Sequence, residues 1–390
     1  MTRPVINTHV HFPPNFGAFT TVTDAVDQAV VEGVRALGIS NFFDQQVYAT
    51  FRSRAEAAGI VPLYGLEFIT LIDDLARAGT RINDPANPGR MYLCGKGIAP
   101  FAQKSERAAA IASAIRRGND ERAELMVARI ADHLASCGFD TGLTATRVAQ
   151  SVAERAEVPL AWVSLQERHI ARAVQEAVFE LPLGPRAALL ERAYGTASTV
   201  DIADAAALQG EIRSCLIKAG TPGFVAEVPL GFDEAYDYIL ESAGIPTYPT
   251  LGDGVDPVCP FEDSATNLAA ELLARGIHAA ELIPVRNTVA CVDAYVRAFT
   301  DAGIIVMAGT EHNTPDRIPF AVSCVDGPVS EASMEAFWEA TCVVAAHQHE
   351  VAHGRPGYVT ATGALASDDP EERRRELVEV GARLIRGEEA

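Results

Sequence analysis

The stretch Val5-Ile-Asn-Thr-His-Val-His-Phe-Pro-Pro14 contains the features on which the fold prediction depends. Its apolar start favours a strand, and Pro13-Pro14 forces a loop directly after it. His9 and His11 are two residues apart, so on a strand their side chains point to the same face and can converge on one ion. An H-x-H pair by itself also fits two unrelated surface histidines, so the surrounding pattern has to decide.

Outward from this strand, short apolar runs alternate with segments of helical periodicity. Helices are predicted at residues 24–37, 45–58, 236–242, 264–275 and 289–302, and further strands at 38–41, 60–68, 245–248, 277–283 and 304–308. This alternation predicts β/α units around a parallel sheet. In a parallel β/α barrel the chemistry lies at the carboxyl ends of the strands, where both histidines would stand.

The middle and the end of the sequence follow a different pattern. Residues 101–219 have the periodicity of successive helices rich in Ala, Arg and Glu. We therefore predict a discontinuous barrel, residues 1–100 and 220–325, with a helical insert at 101–219 and C-terminal helices at 326–390. The charged tail from residue 368 onward is predicted to be a solvated helix.

The charge composition limits the class of partner. The 390 residues include 52 Asp and Glu against 32 Lys and Arg, which gives a net charge of −20. Such a field repels nucleic-acid backbones and anionic membrane surfaces, so we expect neither as a partner. A small anionic substrate remains compatible, because a few local cations or a metal override the mean field.

The cysteines and the N-terminal residues bear on the compartment. The seven cysteines are dispersed and form no C-x-x-C pair, which indicates reduced thiols in a reducing compartment. The first residues lack the apolar core of a signal peptide, and no apolar run approaches the about 20 residues that span a bilayer. We therefore expect a bacterial-type cytoplasmic location. The sequence gives no signal for the oligomeric state.

Two further strand ends carry carboxylates. Glu67 closes the third strand, and Glu311 follows the last one in Met307-Ala-Gly-Thr-Glu-His-Asn313. Each is also compatible with an ordinary loop acid, since charged residues are common at such positions. In a barrel, two imidazoles and two carboxylates would meet at one end, a donor set suited to Zn²⁺, Mn²⁺ or Fe²⁺.

The order of several stretches resembles the PHP (polymerase and histidinol phosphatase) superfamily, in particular its small-nucleotide phosphoesterase branch with a helical insert. Its four motifs, the first of which is D-x-H-x-H, are matched in order by Asn7–His11, Ala36–Phe42, Pro62–Glu67 and Gly309–Asn313. Two more stretches agree in sequence position and residue type: Gln166–Arg172 resembles an element of the family's insert, and Ala243–Pro249 resembles a later strand. The resemblance covers residues 4–315. It implies a distorted seven-stranded, TIM-like β/α barrel and, as the family typically has, a three-metal site.

Departures from the family pattern reduce the number of metals that we expect. Phe42 and Tyr248 stand where the family has histidines, Asn41 where it has an aspartate, and Asn313 where it has the closing histidine. The retained residues correspond to the family's ligands of one particular metal: His9, His11, Glu67 and Glu311. The resemblance therefore implies about one divalent transition metal, Zn, Mn or Fe, per chain.

Five further residues are predicted to act on the substrate. His312, beside the last ligand, is a candidate general acid or base, with a hydrogen bond to a loop carbonyl as the alternative. By its match to the family's insert, His169 would face the site, or else occupy the start of a helix without a role. Lys96, Arg168 and Arg286 are candidates to anchor an anionic substrate, although surface cations are commonly only solvated.

A competing motif, His349-Glu-Val-Ala-His353, satisfies the zincin pattern H-E-x-x-H. Both histidines would share one face of the last long helix. Gly354 follows at once, and neither the x-x-G-x-x-H continuation nor a clear downstream Glu helix is present. We therefore interpret these histidines, together with His347, as positions on a packing helix.

The predicted function follows from the metal ligands and the resemblance. We expect a metal-dependent hydrolase that acts on a small anionic metabolite, with a phosphoesterase as the first choice. Two alternatives stay open: a mononuclear-metal isomerase, lyase or amidohydrolase-like enzyme, and a barrel that binds a ligand without catalysis. The sequence contains no G-x-G-x-x-G, P-loop or G-x-S-x-G motif, so nucleotide-fold and serine-hydrolase assignments have no support.

Overall fold

The computed structural model describes residues 3–99 and 105–388, and the chain divides into two compact units. The first unit comprises Met1–Phe12, Val22–Ala112 and Pro229–Ala390, and the second comprises Pro13–Thr21 and Ser113–Val228. The second unit thus covers most of the predicted insert and also the segment directly after the H-x-H pair. The C-terminal helices belong to the first unit.

The first unit contains one barrel-shaped sheet. Its strands are β1 Val5–Val10, β2 Val34–Phe42, β3 Val61–Leu71, β4 Arg90–Lys96, β5 Leu230–Gly231, β6 Ile245–Thr250, β7 Ala279–Leu282 and β8 Ile305–Ala308. The hydrogen-bonded order is β1-β2-β3-β4-β6-β7-β8, with the short β5 beside β3. Every pairing along this path is parallel except those of β4, which is antiparallel to both neighbours. The predicted distorted, TIM-like barrel with a path of seven strands is confirmed.

Helices precede and follow the strands. In chain order they are α1 Val22–Val31, α2 Tyr48–Ala57, α3 Asp73–Arg77, α4 Glu106–Ser136, α5 Ala145–Ala156, α6 Glu167–Phe179, α7 Leu183–Tyr194, α8 Ala205–Ile212, α9 Phe232–Glu241, α10 Ala265–Ala274, α11 Val289–Asp301, α12 Glu331–Ala352 and α13 Pro370–Arg386. None of the helices within residues 3–99 and 105–388 is both long and apolar enough to cross a bilayer.

β1 and β8 close the barrel through a short contact. Val10 and Glu311 form a parallel bridge, in which the His11 N–H donates to the Glu311 carbonyl at 2.9 Å and the Glu311 N–H donates to the His9 carbonyl at 2.8 Å. The strands can approach because residue 309 is glycine, where an added Cβ would lie 2.3 Å from the His9 Cβ. The closure therefore places the H-x-H pair beside the end of the last strand.

In the first unit the sequence analysis extended one helix too far and missed one strand. The helix predicted at 24–37 ends at Val31, because Gly33 adopts φ +72° and Val34 already begins β2. The strand β4 was missed. It follows only the five-residue helix α3, so the β/α rhythm that marked the other strands is absent there.

The second unit has a core of its own. Its buried apolar residues come mainly from α4 to α8 and include Met126, Ile130, Ile170, Val174 and Leu208. The amphipathic pattern of α5 and α6 explains this arrangement, because each helix buries one apolar face.

The final helix corrects one prediction. The charged tail was expected to be a solvated helix, but α13 buries Leu377, Ala382 and Ile385. Its Gly381 fits so closely that an added Cβ would lie 2.0 Å from the Cys342 carbonyl oxygen of α12. The prediction followed the many charged residues of this segment and overlooked the apolar residues that recur at helical spacing among them.

Candidate metal centre

Three donor groups meet where β1 ends, two from the histidines and one from Glu67 of β3. Glu67 was expected to close its strand, but β3 continues to Leu71, and Glu67 is level with the end of β2 because it pairs with Phe42. His9 Nε2 lies 3.7 Å from Glu67 Oε2, and His11 Nε2 lies 3.7 Å from Glu67 Oε1. One donor atom from each of the three residues lies within 4.8 Å of the others. Both imidazoles are buried, and the Glu67 side chain is 15% exposed. The structure therefore brings these three predicted ligands together.

A fully buried carboxylate on β7 orients His9. The Nδ1 of His9 lies 2.6 Å from Glu281 Oε2, and the Thr8 hydroxyl donates to Glu281 Oε1 at 2.9 Å. Burial alone would raise the pKa of Glu281, but Lys96 and His9 outweigh it and lower the pKa to about 2. A carboxylate accepts the Nδ1 hydrogen, so in the neutral imidazole Nε2 keeps its lone pair.

Lys96, predicted as an anchor for the substrate, lies inside the barrel with 2% exposure. Its ammonium group donates to the Thr8 carbonyl at 2.9 Å and to Ser40 Oγ at 2.7 Å, and lies 2.8 Å from Glu281 Oε1. An ammonium group has three donors, and these contacts use all of them. The geometry thus favours a role beneath the site and not one in contact with substrate.

The donor set of His9, His11 and Glu67 fits a divalent cation. Ligands at about 2.1 Å from a tetrahedral Zn²⁺ lie about 3.4 Å apart, close to the 3.7 Å separations found here. His9 Nε2 and His11 Nδ1 are buried and have no hydrogen-bond partner within the described part of the chain. Such orphaned atoms are costly, and a coordinated cation supplies the missing interaction at His9 Nε2. These three residues would therefore hold the metal.

The electrostatics of the same residues also suit a cation. Burial, followed by the neighbouring His9, Lys96 and Arg286, lowers the pKa of His11 well below its ordinary value, so the ring is neutral near pH 7. Burial and the nearby Glu311 raise the pKa of Glu67 to about 8. Neutral imidazoles are the form that binds metals, and a positive ion offsets the cost of a buried carboxylate.

A second group of potential donors is a poorer fit. His9, Cys94 and Glu281 also place donor atoms within 4.8 Å of one another. Here, however, the His9 nitrogen that faces Glu281 already shares a hydrogen with it. Burial raises the pKa of the Cys94 thiol well above its ordinary range, so the sulfur keeps its proton.

Glu311, the fourth predicted ligand, lies at this end of the barrel but has other partners. Arg286 Nη2 donates to Glu311 Oε2 and, at 3.3 Å, to Asn313 Oδ1, and the Asn313 amide donates to the same Glu311 oxygen. Glu311 is not among the residues whose donor atoms group within 4.8 Å in the described chain. Its backbone has φ +59°, a strained conformation of the kind found at functional sites.

His312, the predicted general acid or base, is buried with both ring nitrogens engaged. Its Nδ1 lies 2.7 Å from the Thr310 hydroxyl, and its Nε2 lies 2.9 Å from the Ile318 carbonyl oxygen. A carbonyl accepts only from a protonated nitrogen, so Nε2 carries the hydrogen and Nδ1 accepts from Thr310. This geometry favours the alternative of a histidine bonded to a loop carbonyl.

The positions that depart from the family pattern have structural contacts. The Asn41 amide accepts the Phe12 N–H at 2.8 Å and donates to the Phe12 carbonyl at 2.9 Å, which fixes the backbone just after His11. Phe42 packs edge-on against Phe43 at 5.1 Å. The fully buried Tyr248 hydroxyl donates to Glu262 Oε1 at 2.8 Å. The asparagine and the tyrosine hold local structure, and the phenylalanine has no metal-binding atom.

His169 and Arg168 belong to the second unit. His169 Nδ1 accepts the Gln166 N–H at 3.1 Å at the start of α6, and the ring also bonds to the Pro14 carbonyl. Burial, with a smaller contribution from nearby arginines, lowers the pKa of His169 to about 3. The Arg168 guanidinium lies 5.9 Å from the centre of the Phe16 ring. These contacts give His169 a capping role and stack Arg168 on an aromatic face.

The H-E-x-x-H motif lies at the end of α12. The rings of His349 and His353 are 4.3 Å apart, but Glu350 forms two hydrogen bonds with Arg355, at 2.6 and 2.8 Å. The three motif residues do not appear as a donor group in the described structure. His347 is buried, with Nε2 2.8 Å from the Ala243 carbonyl.

Sequence reasoning missed Glu281. The signal was present, because β7 reads Ala-Ala-Glu-Leu and all four residues are buried. A charged residue inside an apolar strand needs a partner, so Glu281 itself could have been identified as a buried, paired carboxylate.

The sequence has no match among protein-family models or curated proteins. Among solved structures, a candidate metal-dependent phosphoesterase from Bifidobacterium adolescentis is similar at 14% identity, with a TM-score of 0.58 over 87% of this chain and 98% of that chain. An amidohydrolase from Chromobacterium violaceum, with bound sulfate and no metal, is similar at 16% identity, with a TM-score of 0.53 over 85% of this chain and 96% of that chain. At these identities the likeness shows a shared barrel fold alone.

Proposed function

We propose that the chain is a metal-dependent hydrolase that acts on a small anionic metabolite, and that it holds about one transition metal through His9, His11 and Glu67. The main support for this proposal is the geometry of these three residues. Each imidazole Nε2 lies 3.7 Å from an oxygen of Glu67, and the Nε2 of His9 is buried without a hydrogen-bond partner among the described residues. The names of the two similar structures, a candidate metal-dependent phosphoesterase and an amidohydrolase, support this class.

The metal would supply the reactive chemistry, and two neighbouring residues would position its ligands. A bound Zn²⁺, Mn²⁺ or Fe²⁺ supplies Lewis acidity and lowers the pKa of a coordinated water. Glu281 holds the ring of His9 in one orientation. Asn41 fixes the backbone that follows His11.

Arg286 is the residue proposed to receive the anionic group of the substrate. It follows β7, its side chain is 38% exposed, and its Nη2 bonds both Glu311 and Asn313. A guanidinium carries five donors in a rigid fork, so a side chain oriented by two such bonds can still present N–H groups to an oxyanion.

The chemical class of the substrate has two candidates. A phosphoester is the first choice, since the resemblance of the motifs and the first similar structure agree on it. An amide or carboxylic ester is the second. It is favoured by the small number of cations available to the substrate, because Lys96 has all three donors engaged and Arg286 is the remaining candidate. A phosphoryl group needs several cations to neutralise its developing charge.

Metal content together with a substrate screen tests the proposal. Purified protein incubated with Zn²⁺, Mn²⁺ or Fe²⁺ should retain a metal after desalting, and His9→Ala should not. Release of phosphate from small phosphate esters would support the first class, and hydrolysis confined to N-acyl or ester substrates the second. Wild-type protein that retains no metal would contradict the enzyme and favour a barrel that only binds a ligand.

A further inference from the structure

The interior of the barrel contains an ion pair that stability alone does not explain. Lys96 is 2% exposed and Glu281 is 0% exposed, and their charged atoms lie 2.8 Å apart. Replacing a buried ion pair by apolar residues of similar volume is often neutral or stabilising. A pair of this kind is therefore a candidate for a functional role, and its other contacts indicate which one.

The contacts of Glu281 connect the pair to the metal centre. One carboxylate oxygen, Oε1, receives Lys96 at 2.8 Å and the Thr8 hydroxyl at 2.9 Å. The other oxygen, Oε2, lies 2.6 Å from His9 Nδ1. Since both oxygens are held, the carboxylate cannot rotate without breaking a hydrogen bond, and the ring of His9 is held with it.

The lysine is itself fixed by several strands. Ser40 of β2 and Lys96 of β4 both pair with Gly65 of β3, so the three residues lie in one row across the sheet. Lys96 donates to Ser40 Oγ at 2.7 Å and to the Thr8 carbonyl of β1 at 2.9 Å. This row lies two residues before Glu67 along β3, beneath the donor group.

We propose that Lys96 and Glu281 are positioning residues that direct the unpartnered Nε2 of His9 toward the metal. The inference rests on the proposed metal site and goes beyond it, because it assigns the two residues a measurable share of metal affinity. Lys96 acts through Glu281, and Glu281 acts through His9. Neither residue contacts the metal or the substrate.

The physical effect has two parts. The hydrogen bond from Nδ1 fixes the tautomer, which leaves the lone pair on Nε2, and it holds the ring with Nε2 3.7 Å from Glu67 Oε2. A carboxylate partner also raises the donor strength of a ligating imidazole. Loss of such a partner typically weakens metal binding by about 10- to 100-fold.

The test measures metal affinity and the spectrum of bound Co²⁺ in variants of the full chain. Glu281→Gln should weaken Co²⁺ and Zn²⁺ binding by about 10- to 100-fold and change the visible absorption of Co²⁺, with a smaller loss in Lys96→Met. The matched control is Glu262→Gln. Glu262 is as buried as Glu281 and lies in the same unit, but it accepts a hydrogen bond from Tyr248 and not from His9. The metal affinity of the Glu262→Gln variant should therefore stay within about threefold of wild type.

A double variant decides whether the lysine acts through the glutamate. If it does, Lys96→Met should add little to the loss already seen in Glu281→Gln. If a single variant fails to fold, Lys96→Met combined with Glu281→Leu leaves no unpaired buried charge, so the loss of affinity can be measured in that pair.

Three outcomes would overturn this inference. The first is a folded Glu281→Gln variant with the metal affinity and Co²⁺ spectrum of wild type. The second is a double variant in which the two losses of metal affinity add fully. The third is a loss of metal affinity in Glu262→Gln equal to that in Glu281→Gln. Wild-type protein that takes up no Co²⁺ or Zn²⁺ would instead contradict the proposed metal site itself, so the two failures are distinguishable.

Discussion

Two histidine pairs in this protein satisfy metal-binding patterns, and they differ in their surroundings. His9 and His11 are buried at a strand end, each 3.7 Å from a carboxylate oxygen of Glu67. His349 and His353 lie at a helix end, where His353 is exposed and the intervening Glu350 pairs with Arg355. The spacing is suitable in both pairs, but among the residues that the structure describes only the first pair groups with a carboxylate.

The two pairs also differ in the groups that orient their rings. In the strand pair, the buried carboxylate of Glu281 hydrogen-bonds to His9 and fixes its ring. In the helix pair, His353 Nδ1 lies 2.7 Å from the backbone carbonyl of His349, one turn earlier in the same helix. Metal sites depend on such orienting partners about as much as on the ligands.

Removal of a strand-pair ligand should have the largest effect. In His9→Ala or His11→Ala the affinity for Zn²⁺ should fall by at least about 100-fold, more than for loss of an orienting partner. At a metal concentration about 100-fold above its dissociation constant, wild-type protein should gain about 2.7 kcal/mol in the free energy of unfolding. Denaturant melts with and without metal measure this gain. An equal gain in His9→Ala would contradict the assignment.

A pH effect is expected from His347, the buried histidine on the same helix as the second pair. Burial lowers its pKa to about 4, below the unfolded value of about 6.5. The unfolded chain therefore binds the proton first as pH falls. Stability is full above pH 6.5 and declines toward pH 4, by about 2 kcal/mol between pH 7 and pH 5.

The check is the pH dependence of unfolding in His347→Gln against wild type. The difference between pH 7 and pH 5 should shrink by about that amount in the variant. An unchanged pH dependence would mean that His347 does not carry this linkage.

The strand pair also has a residue proposed to receive substrate, which the helix pair lacks. Arg286→Gln should raise KM by about 10-fold for whichever anionic substrate is hydrolysed, since a charge-assisted hydrogen bond contributes about 1.5–3 kcal/mol. Metal content should stay unchanged, and Arg286→Lys should recover only part of the loss. An unaltered KM in Arg286→Gln would remove this residue from the substrate site.

The order of strands and helices could be predicted from the sequence, because hydrophobic periodicity records it locally. The antiparallel β4 could not, since it follows a five-residue helix and breaks the β/α rhythm. The end of α1 was also mispredicted, because hydrophobic periodicity continued past Val31 while the backbone turns at Gly33, where φ is +72°.

The candidate site was predictable to a similar degree. Spacing and strand position predicted that His9 and Glu67 face the same point, and the structure places His9 Nε2 3.7 Å from Glu67 Oε2. The role of Lys96 could not, because it depends on Glu281 about 185 residues later, and no local pattern records a contact of that kind. For His312 the sequence left two alternatives, and only the hydrogen bonds to Thr310 and Ile318 favour one.

The smallest effect is expected in the helix pair. His349→Ala and Glu350→Gln should leave metal content unchanged. Loss of the partly exposed pair of Glu350 and Arg355 should cost at most about 1 kcal/mol in the free energy of unfolding. Loss of bound Zn²⁺ in His349→Ala, with the fold intact by circular dichroism, would reverse the comparison.

The most direct test of the account is the number of metal ions per chain, measured by elemental analysis after metal loading and desalting. Wild-type protein should hold about one ion, because Phe42, Tyr248 and Asn313 provide no further histidine ligands. His9→Ala should hold none. Three ions per wild-type chain, or one ion retained in His9→Ala, would contradict the single site built on the strand pair.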